Sequence, residues 1–253
     1  MRTLTINNKN YSLPGNWNEL TTEQLLYLVR LVDSQISAEE IKLKMLLKCL
    51  NANVHGYFEN DFVIKLGRQK LRVKTKDLHA AAEIFDYLFA ENKDKIEINP
   101  LLKRNHIKAI KKFKGADDGL IDITYEQFAH LNHHFARMTE QPEAINDFIA
   151  VLYRCTPADV IKLPKYHKTL ILWYYIGSFD FIQNKFPRVF SAGGEKSNLT
   201  VFENQQRIID ALADNDLTKK QAVKKSLLYD ALLTLEIAAE NAEKLKREMK
   251  TKK

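Results

Sequence analysis

Cysteine, glycine and proline are all scarce in this sequence of 253 residues, which contains two cysteines, eight glycines and six prolines. Two cysteines are too few for a disulfide-rich secreted scaffold. Cys49 and Cys155 both lie in apolar helical contexts, so we expect reduced, buried thiols in a cytosolic protein, with a single disulfide between them as the alternative. The low glycine and proline content favours helices over a strand-and-turn architecture.

Long hydrophobic runs are also missing. No window reaches the roughly 18 apolar residues that a membrane-spanning helix needs. The N-terminal residues Met1–Asn8 lack the apolar centre of a secretory signal peptide. The most apolar stretch, Leu170–Ile182, is short and carries Asp180. We therefore expect a buried helix there, and no association with a membrane.

No recognisable catalytic constellation is present. The best metal-like cluster is Glu126, His130, His133 and His134, in which His130 and His134 are spaced to share one helical face. However, the apolar face of that helix is set by residues such as Phe128, so these histidines are predicted to face solvent. A third nearby ligand, which catalytic zinc requires, is not identifiable. The sequence predicts no enzyme, no metal site and no cofactor.

What the chain does contain is an ordinary apolar share of 45%, an aromatic share of 10% and a net charge of +7. These values are typical of a globular protein with a real core. The positive charge is uneven, because Lys219–Lys253 contains ten Lys/Arg against five Asp/Glu. Such a segment is compatible with nucleic acid or an acidic protein as partner, and equally with a solvated helix end.

Two β-hairpins are predicted in the N-terminal third. The first joins Thr3–Ile6 to Tyr11–Pro14 through an asparagine-rich turn. The second joins Phe62–Leu66 to Lys70–Lys74 through a Gly-Arg-Gln turn. Between the two hairpins, helical periodicity predicts two helices, and the Asn- and Gly-containing segment Asn51–Gly56 is expected to be a loop.

The second predicted hairpin carries alternating cations. These are Arg68, Lys70, Arg72, Lys74 and Lys76. In a strand, alternate residues point to the same face, so all five would face one side and could track a phosphate backbone. The alternative is a solvated lysine-rich edge that discourages pairing with other strands. Nucleic-acid binding by this hairpin face is the second functional hypothesis.

The remainder of the sequence reads as helices. Thr124 is predicted to cap one of them, and Leu170–Phe190 has the composition of a helix buried on every face. Asn198 is predicted to cap another helix. Thr218 is predicted to cap a last helix of about thirty residues, since no later residue would break it.

The last predicted helix has an apolar stripe that thins to alanine. Its members are Val223, Leu227, Ala231, Leu235, Ala238, Ala242 and Leu245. The stripe weakens beyond Leu235, which predicts that the far end projects into solvent or meets a partner. Ala238, Ala242 and Leu245 are therefore the predicted protein-interaction surface, for another protein or for self-association.

These observations predict a mainly α protein of the α+β kind, with a helical bundle-like core and two small hairpins in the N-terminal third. Residues 1–100 would form a small α+β lobe and residues 101–253 a helical lobe. The alternative is one continuous domain.

Several segments in this order are similar to a known group of proteins. The segments are Ile123–Phe128, Phe148–Arg154, Trp173–Gly177 and Phe186–Phe190, together with Trp17–Thr21 after the first hairpin and Asp214–Lys220 before the last helix. This arrangement resembles uncharacterised proteins encoded in the virion-structure region of tailed bacteriophages and prophages.

The resemblance implies a role in tail assembly or virion interactions, since assembly chaperones for the tape-measure protein are encoded in the same neighbourhood. It would place the protein in the host cytoplasm or in the virion, with other phage proteins or further copies of itself as partners. The resemblance supplies no catalytic residues.

Overall fold

The computed structural model describes residues 1–6, 8–59, 61–92, 95–191 and 201–251. About 60% of the chain is helical, with a few small antiparallel strand pairs, so the predicted mainly α class is confirmed. Contacts between Cα atoms divide the chain into two compact units, Met1–Leu102 and Lys103–Lys253. Within the described ranges, no helix combines the length and the apolar character needed to cross a bilayer.

The first unit contains short antiparallel sheets and three α-helices among its described residues. The strands are β1 (Arg2–Ile6), β2 (Lys9–Leu13), β3 (Ala52–Phe58), β4 (Asp61–Leu66), β5 (Gln69–Lys74), β6 (Phe89–Asn92) and β7 (Lys95–Ile98). The helices are α1 (Thr22–Asp33), α2 (Ala38–Cys49) and α3 (Thr75–Ala82), with 3-10 turns at Trp17–Glu19 and Glu83–Leu88. The pairings are β1–β2, β3–β4–β5 and β6–β7.

Both predicted hairpins are confirmed, as β1–β2 and β4–β5. The loop predicted over Asn51–Gly56 is wrong, because β3 starts directly after Asn51 and pairs with β4. Asn51 takes a left-handed φ of 52° at the end of α2, so the turn that its residue type favours is completed within one residue. Gly56 lies within the strand, next to a register shift that follows Val54.

Helix α1 begins with a capping box. The Thr21 hydroxyl accepts a hydrogen bond from the Gln24 amide at 3.2 Å, and the Gln24 side chain accepts one from the Thr21 amide at 2.9 Å. Leu25, Leu28 and Val29 of α1 are fully buried. Such burial is the main source of stabilisation, at about 1.5–3 kcal/mol for each large aliphatic side chain.

Among its described residues, the second unit is built from helices, with one two-residue strand pair and a 3-10 turn at Asp118–Leu120. Its elements are β8 (Ala109–Ile110), β9 (Phe113–Lys114), α4 (Tyr125–Arg137), α5 (Ala144–Tyr153), α6 (Pro157–Ile161), α7 (Lys165–Lys185), α8 (Pro187–Ser191), α9 (Val201–Leu212), α10 (Leu217–Lys225) and α11 (Leu228–Thr251). Thr124 caps α4, as predicted, by accepting from the Gln127 amide. The predicted cap of α9, Asn198, lies outside the described residues.

The buried helix predicted over Leu170–Ile182 is confirmed as the middle of α7, whereas the stretch up to Phe190 is not one helix, because α7 ends at Lys185 and Phe190 belongs to α8. Leu170, Ile171 and Tyr174 are at most 1% exposed. Tyr175 lies edge-on against Phe148 of α5, with ring centroids 4.8 Å apart. Aromatic pairs of this geometry contribute about 0.5–1.5 kcal/mol beyond the burial of their area.

Buried tyrosine hydroxyls connect this core to the segment that precedes α4. The hydroxyl of Tyr174 donates to the Asp117 carbonyl at 2.6 Å, that of Tyr153 to the Ile107 carbonyl at 2.5 Å, and that of Tyr229 to the Gly119 carbonyl at 2.9 Å. Burial raises the pKa of each of these tyrosines, so the hydroxyls remain protonated donors at neutral pH.

The single long helix predicted from Thr218 is wrong. Asp216, and not Thr218, caps α10 by accepting from the Thr218 amide at 2.9 Å. The chain then becomes extended at Ser226, with ψ at 151°. The break arises because residues 226–228 pair with the start of α4: Tyr125 donates to the Ser226 carbonyl at 3.0 Å, and the Leu228 amide donates to Ile123 at 2.9 Å.

Gly115 provides a test of how tightly this core is packed. It is buried, and a Cβ placed on it would lie 2.5 Å from Cε1 of Tyr153 and 2.7 Å from Nδ2 of Asn105. We expect Gly115→Ala to lower the free energy of unfolding by about 1–3 kcal/mol, because a buried ring and a buried amide would have to move. Urea denaturation followed by circular dichroism measures the change.

Gly56→Ala is the matched control. Nothing lies within 4 Å of a Cβ on Gly56, so this variant should be as stable as the parent chain or slightly more stable, since alanine restricts the unfolded chain. Equal stability of the Gly115→Ala variant and the parent would contradict the packing that the structure shows.

Candidate interaction surfaces

The histidine cluster of α4 does not converge on one point. His130 is exposed, whereas His133 and His134 are half-buried, so the prediction that all of them face solvent is wrong for two of the three. Burial lowers the pKa of His134, and the nearby Asp147 of α5 acts in the opposite direction. In the described part of the chain, no group of three or more His, Cys, Asp or Glu residues could hold a metal ion.

Both cysteines are free, and both are half-buried where full burial was predicted. Burial raises the pKa of the Cys49 thiol to about 12, and it also raises the pKa of Cys155. Neither thiol is therefore a thiolate at neutral pH, which is the form that a nucleophile or a metal ligand needs.

The structure places only some of the predicted cations of the hairpin on one face. Along β4 and β5, Lys65 lies opposite Lys70 and Asp61 lies opposite Lys74, while Arg72 lies opposite a valine. Opposed residues of an antiparallel pair share a face. Lys65, Lys70, Arg72 and Lys74 are all exposed on that side, which we call the basic face. Lys65 was not predicted to belong to this face, because its position opposite Lys70 depends on the register between β4 and β5.

Two of the five predicted cations do not belong to the basic face. Arg68 lies in the turn between β4 and β5, and Lys76 lies in the first turn of α3. The alternating pattern ends at Lys74 because α3 starts at Thr75, and a helix rotates successive side chains by about 100° where a strand alternates them by 180°. The prediction of five cations in one row is therefore wrong.

Arg72 is already engaged within the fold. Its Nε atom lies 2.5 Å from Asp61 and its Nη2 atom 3.1 Å from Glu59. Its guanidinium also stacks on the Phe58 ring, 4.9 Å from the centroid. These contacts offset part of the charge of the basic face, and the three lysines carry what remains.

Strand β3 is an edge strand of this same sheet, and it carries exposed aromatic residues. Tyr57 is 60% exposed and Phe58 is 57% exposed. Tyr57, Asp61 and Lys74 contribute to a surface groove of about 570 Å³. Sequence reasoning placed no interaction surface here, because it assigned most of this strand to a loop.

The other predicted surface lies on α11, whose two halves differ in environment. Leu228, Ala231 and Leu232 are at most 5% exposed. From Asn241 to Lys250, every residue is exposed. The predicted surface residues Ala238, Ala242 and Leu245 belong to this outer half, and Leu245 is 56% exposed.

A regular row of apolar residues runs along α11, while the exposed residues Leu233 and Ile237 lie outside it. Leu235, Ala238, Ala242, Leu245 and Met249 are separated alternately by three and four residues. We call this row the α11 seam. Met249 was not recognised from the sequence, although the same spacing reaches it, and it is 68% exposed. Spacing that averages 3.5 residues is the pattern of a helix that packs along a second helix.

Glu236 fixes the direction in which α11 leaves the core. Its carboxylate accepts hydrogen bonds from the amides of Arg188 at 3.0 Å and Val189 at 3.1 Å, which are at the start of α8. It also pairs with the Arg188 guanidinium at 3.0 Å. Beyond it, Arg188 approaches Glu243 at 3.5 Å. The outer half of α11 therefore begins from a rigid attachment.

The half-buried His134 generates a pH prediction. Burial lowers the pKa of His134 below its ordinary value of 6.5; the nearby Asp147 acts in the opposite direction, and the charge of Arg137 acts in the same direction as burial. The folded state then binds fewer protons than the unfolded state below pH 6.5, so stability falls as the pH drops through that value. We expect His134→Gln to reduce this pH dependence in urea denaturation compared at about pH 7.5 and about pH 5.

Part of the pH dependence should persist in that variant, because burial also lowers the pKa of His106. His130→Gln, at an exposed position of the same helix, is the control and should retain the full difference. An unchanged difference for the His134 variant would contradict the prediction.

Comparison with known proteins gives no further assignment: no protein-family model matches the chain, and no curated protein or solved structure matches it significantly.

Proposed function

We propose that this chain is a non-enzymatic structural or assembly protein of a tailed phage, acting through protein–protein contacts made by the outer half of α11. It would work in the host cytoplasm during tail assembly or within the virion. The resemblance of the segments around α4, α5 and α7 to virion-region proteins supports the phage context. The exposed helix end supports the mode of action.

The observation that carries the proposal is the exposure of a regular apolar row on the outer end of a long helix. The segment Ile237–Thr251 extends about 22 Å at 1.5 Å per residue. A helix of about 15 residues is marginal in water by itself. Two internal pairs, Glu240–Lys244 at 2.8 Å and Glu243–Arg247 at 3.8 Å, contribute only about 0.3–0.5 kcal/mol each. A partner that covers the α11 seam would complete its stabilisation.

Truncation tests the surface directly. Ending the chain after Ile237 removes Ala238, Ala242, Leu245 and Met249 but keeps Glu236, which caps α8. We expect the shortened protein to fold and unfold cooperatively, since the removed residues from Asn241 onward make up the exposed end. We also expect it to lose binding to proteins encoded by neighbouring genes, including a tape-measure protein, in pull-downs of co-expressed pairs.

Leu245→Glu in the full-length chain should reproduce that loss without shortening the helix, because glutamate is also a good helix former. Partner binding that survives both changes would contradict the proposed surface. Thermal unfolding of each variant checks that the core is intact.

The second candidate function is nucleic-acid binding by the basic face. The observation that favours it is the placement of Lys65 directly opposite Lys70, with Lys74 exposed on the same side. Like charges at opposed positions repel each other, and an anion between them would relieve the repulsion. A phosphate backbone lying along β4 and β5 would do this.

The double variant Lys70→Glu, Lys74→Glu tests this second function. If the basic face binds nucleic acid, affinity for a short duplex at low salt should fall by at least about tenfold in fluorescence anisotropy. In the parent chain, the slope of log K against log salt should be about −3, for about three phosphates neutralised. The control Lys162→Glu, Lys225→Glu makes the same charge change on exposed residues of the second unit. Equal loss in the control, or no binding by the parent chain at low salt, would eliminate this function.

A further inference from the structure

The α11 seam continues into the core of the second unit with unchanged spacing. Leu228 and Ala231 precede Leu235 at intervals of three and four residues, and both are buried. The row is therefore one continuous heptad stripe, of which the second unit buries Leu228 and Ala231, half-covers Leu235 and leaves the residues from Ala238 onward exposed. Leu228, Leu235, Ala242 and Met249 occupy one of the two core positions of the heptad, and Ala231, Ala238 and Leu245 occupy the other.

From this we infer that the α11 seam docks on the α11 seam of a second copy of the chain, with the two helices antiparallel. The inference rests on the proposed function, because it names the partner of the same surface. The proposed assembly is a homodimer whose two-fold axis passes close to Glu240.

The pairing follows from the spacing of the seam. With the axis near Glu240, Leu235 of one copy faces Leu245 of the other, and Ala238 faces Ala242. Each layer thus brings together residues of like size from the two alternate core positions. The central alanines allow the helix axes to approach to the short end of the usual 8–10 Å range, and the leucines close the two ends.

A groove at the inner end of the α11 seam offers a further contact site for the second copy. It has a volume of about 280 Å³ and is lined mostly by small and apolar side chains. The lining residues are Leu212, Ala222, Val223, Ser226, Asp230, Ala231 and Thr234. In the antiparallel register, Met249 of the second copy reaches Ala231. The long, unbranched methionine side chain suits a groove of irregular shape.

Charge selects the antiparallel direction. The outer end of α11 carries Lys244, Lys246, Arg247 and Lys250, all exposed, with Glu248 as the single exposed acid among them. A parallel pair would place these two cationic ends side by side, which is unfavourable. The antiparallel pair separates them and brings Lys250 beside Asp230 of the other copy, an exposed carboxylate at the rim of the groove.

Sedimentation equilibrium of the full-length chain, from low micromolar to submillimolar concentration, tests the inference. We expect a concentration-dependent monomer–dimer equilibrium. Leu245→Glu should raise the dissociation constant by about a hundredfold, because it places a charge in the leucine layers that close both ends of the seam. Ile237→Glu makes the same chemical change on the same helix, at a residue 51% exposed but outside the seam, and should leave association within about threefold of the parent chain.

Charge reversal tests the direction of the pair. Asp230→Lys alone and Lys250→Asp alone should each weaken the dimer by about tenfold, and the double variant should restore it. Restoration is specific to the antiparallel register, since a parallel pair does not bring these residues together. Failure of the double variant to restore association would overturn the register.

A parent chain that remains monomeric at all concentrations would overturn the dimer. If Leu245→Glu nevertheless abolished binding to a co-expressed phage protein, the proposed function would stand with a different partner. If neither self-association nor partner binding responded to Leu245→Glu, both the further inference and the proposed surface would be refuted.

Discussion

The packing of the second unit depends on hydrogen bonds that the hydroxyl groups of its buried tyrosines must make. Tyr174 and Tyr153 supply large apolar surfaces, but a hydroxyl buried without a partner costs about 1–3 kcal/mol. Each finds a backbone carbonyl in the segment that precedes α4. That segment is held against the helices by these bonds, and Gly115 is retained within it because there is no room for a Cβ.

The same segment determines where α11 begins. Its last residues pair with Ser226–Leu228, which interrupts what would otherwise be one helix from α10 to the C-terminal end of α11. The Tyr229 hydroxyl and the Glu236 carboxylate then fix the emerging helix to Gly119 and α8. A rigid origin followed by an exposed heptad row is a geometry suited to presenting a helix to a partner, because little further ordering is required on binding.

Neither the five-cation row nor the single long helix exists in the folded protein, although each pattern is real in the sequence. For the cations from Arg68 to Lys76 to share one face, the chain would have to be a strand throughout. Instead, α3 starts at Thr75 and packs against α2. In the same way, the helical periodicity across Ser226 is overridden by hydrogen bonds to residues about one hundred positions earlier. Local patterns are reliable only where no distant backbone competes for the same amides and carbonyls.

By itself, the sequence determined the features that depend on local chemistry: the mainly helical class, the cap at Thr124, the two hairpins and the buried helix α7. It also marked Ala238, Ala242 and Leu245 as the outer part of an apolar stripe. Only the tertiary structure decided which part of that stripe is covered, where β3 pairs and which lysines share a face. The physical reason is that burial and strand register are set by contacts between residues far apart in the chain, which no local periodicity encodes.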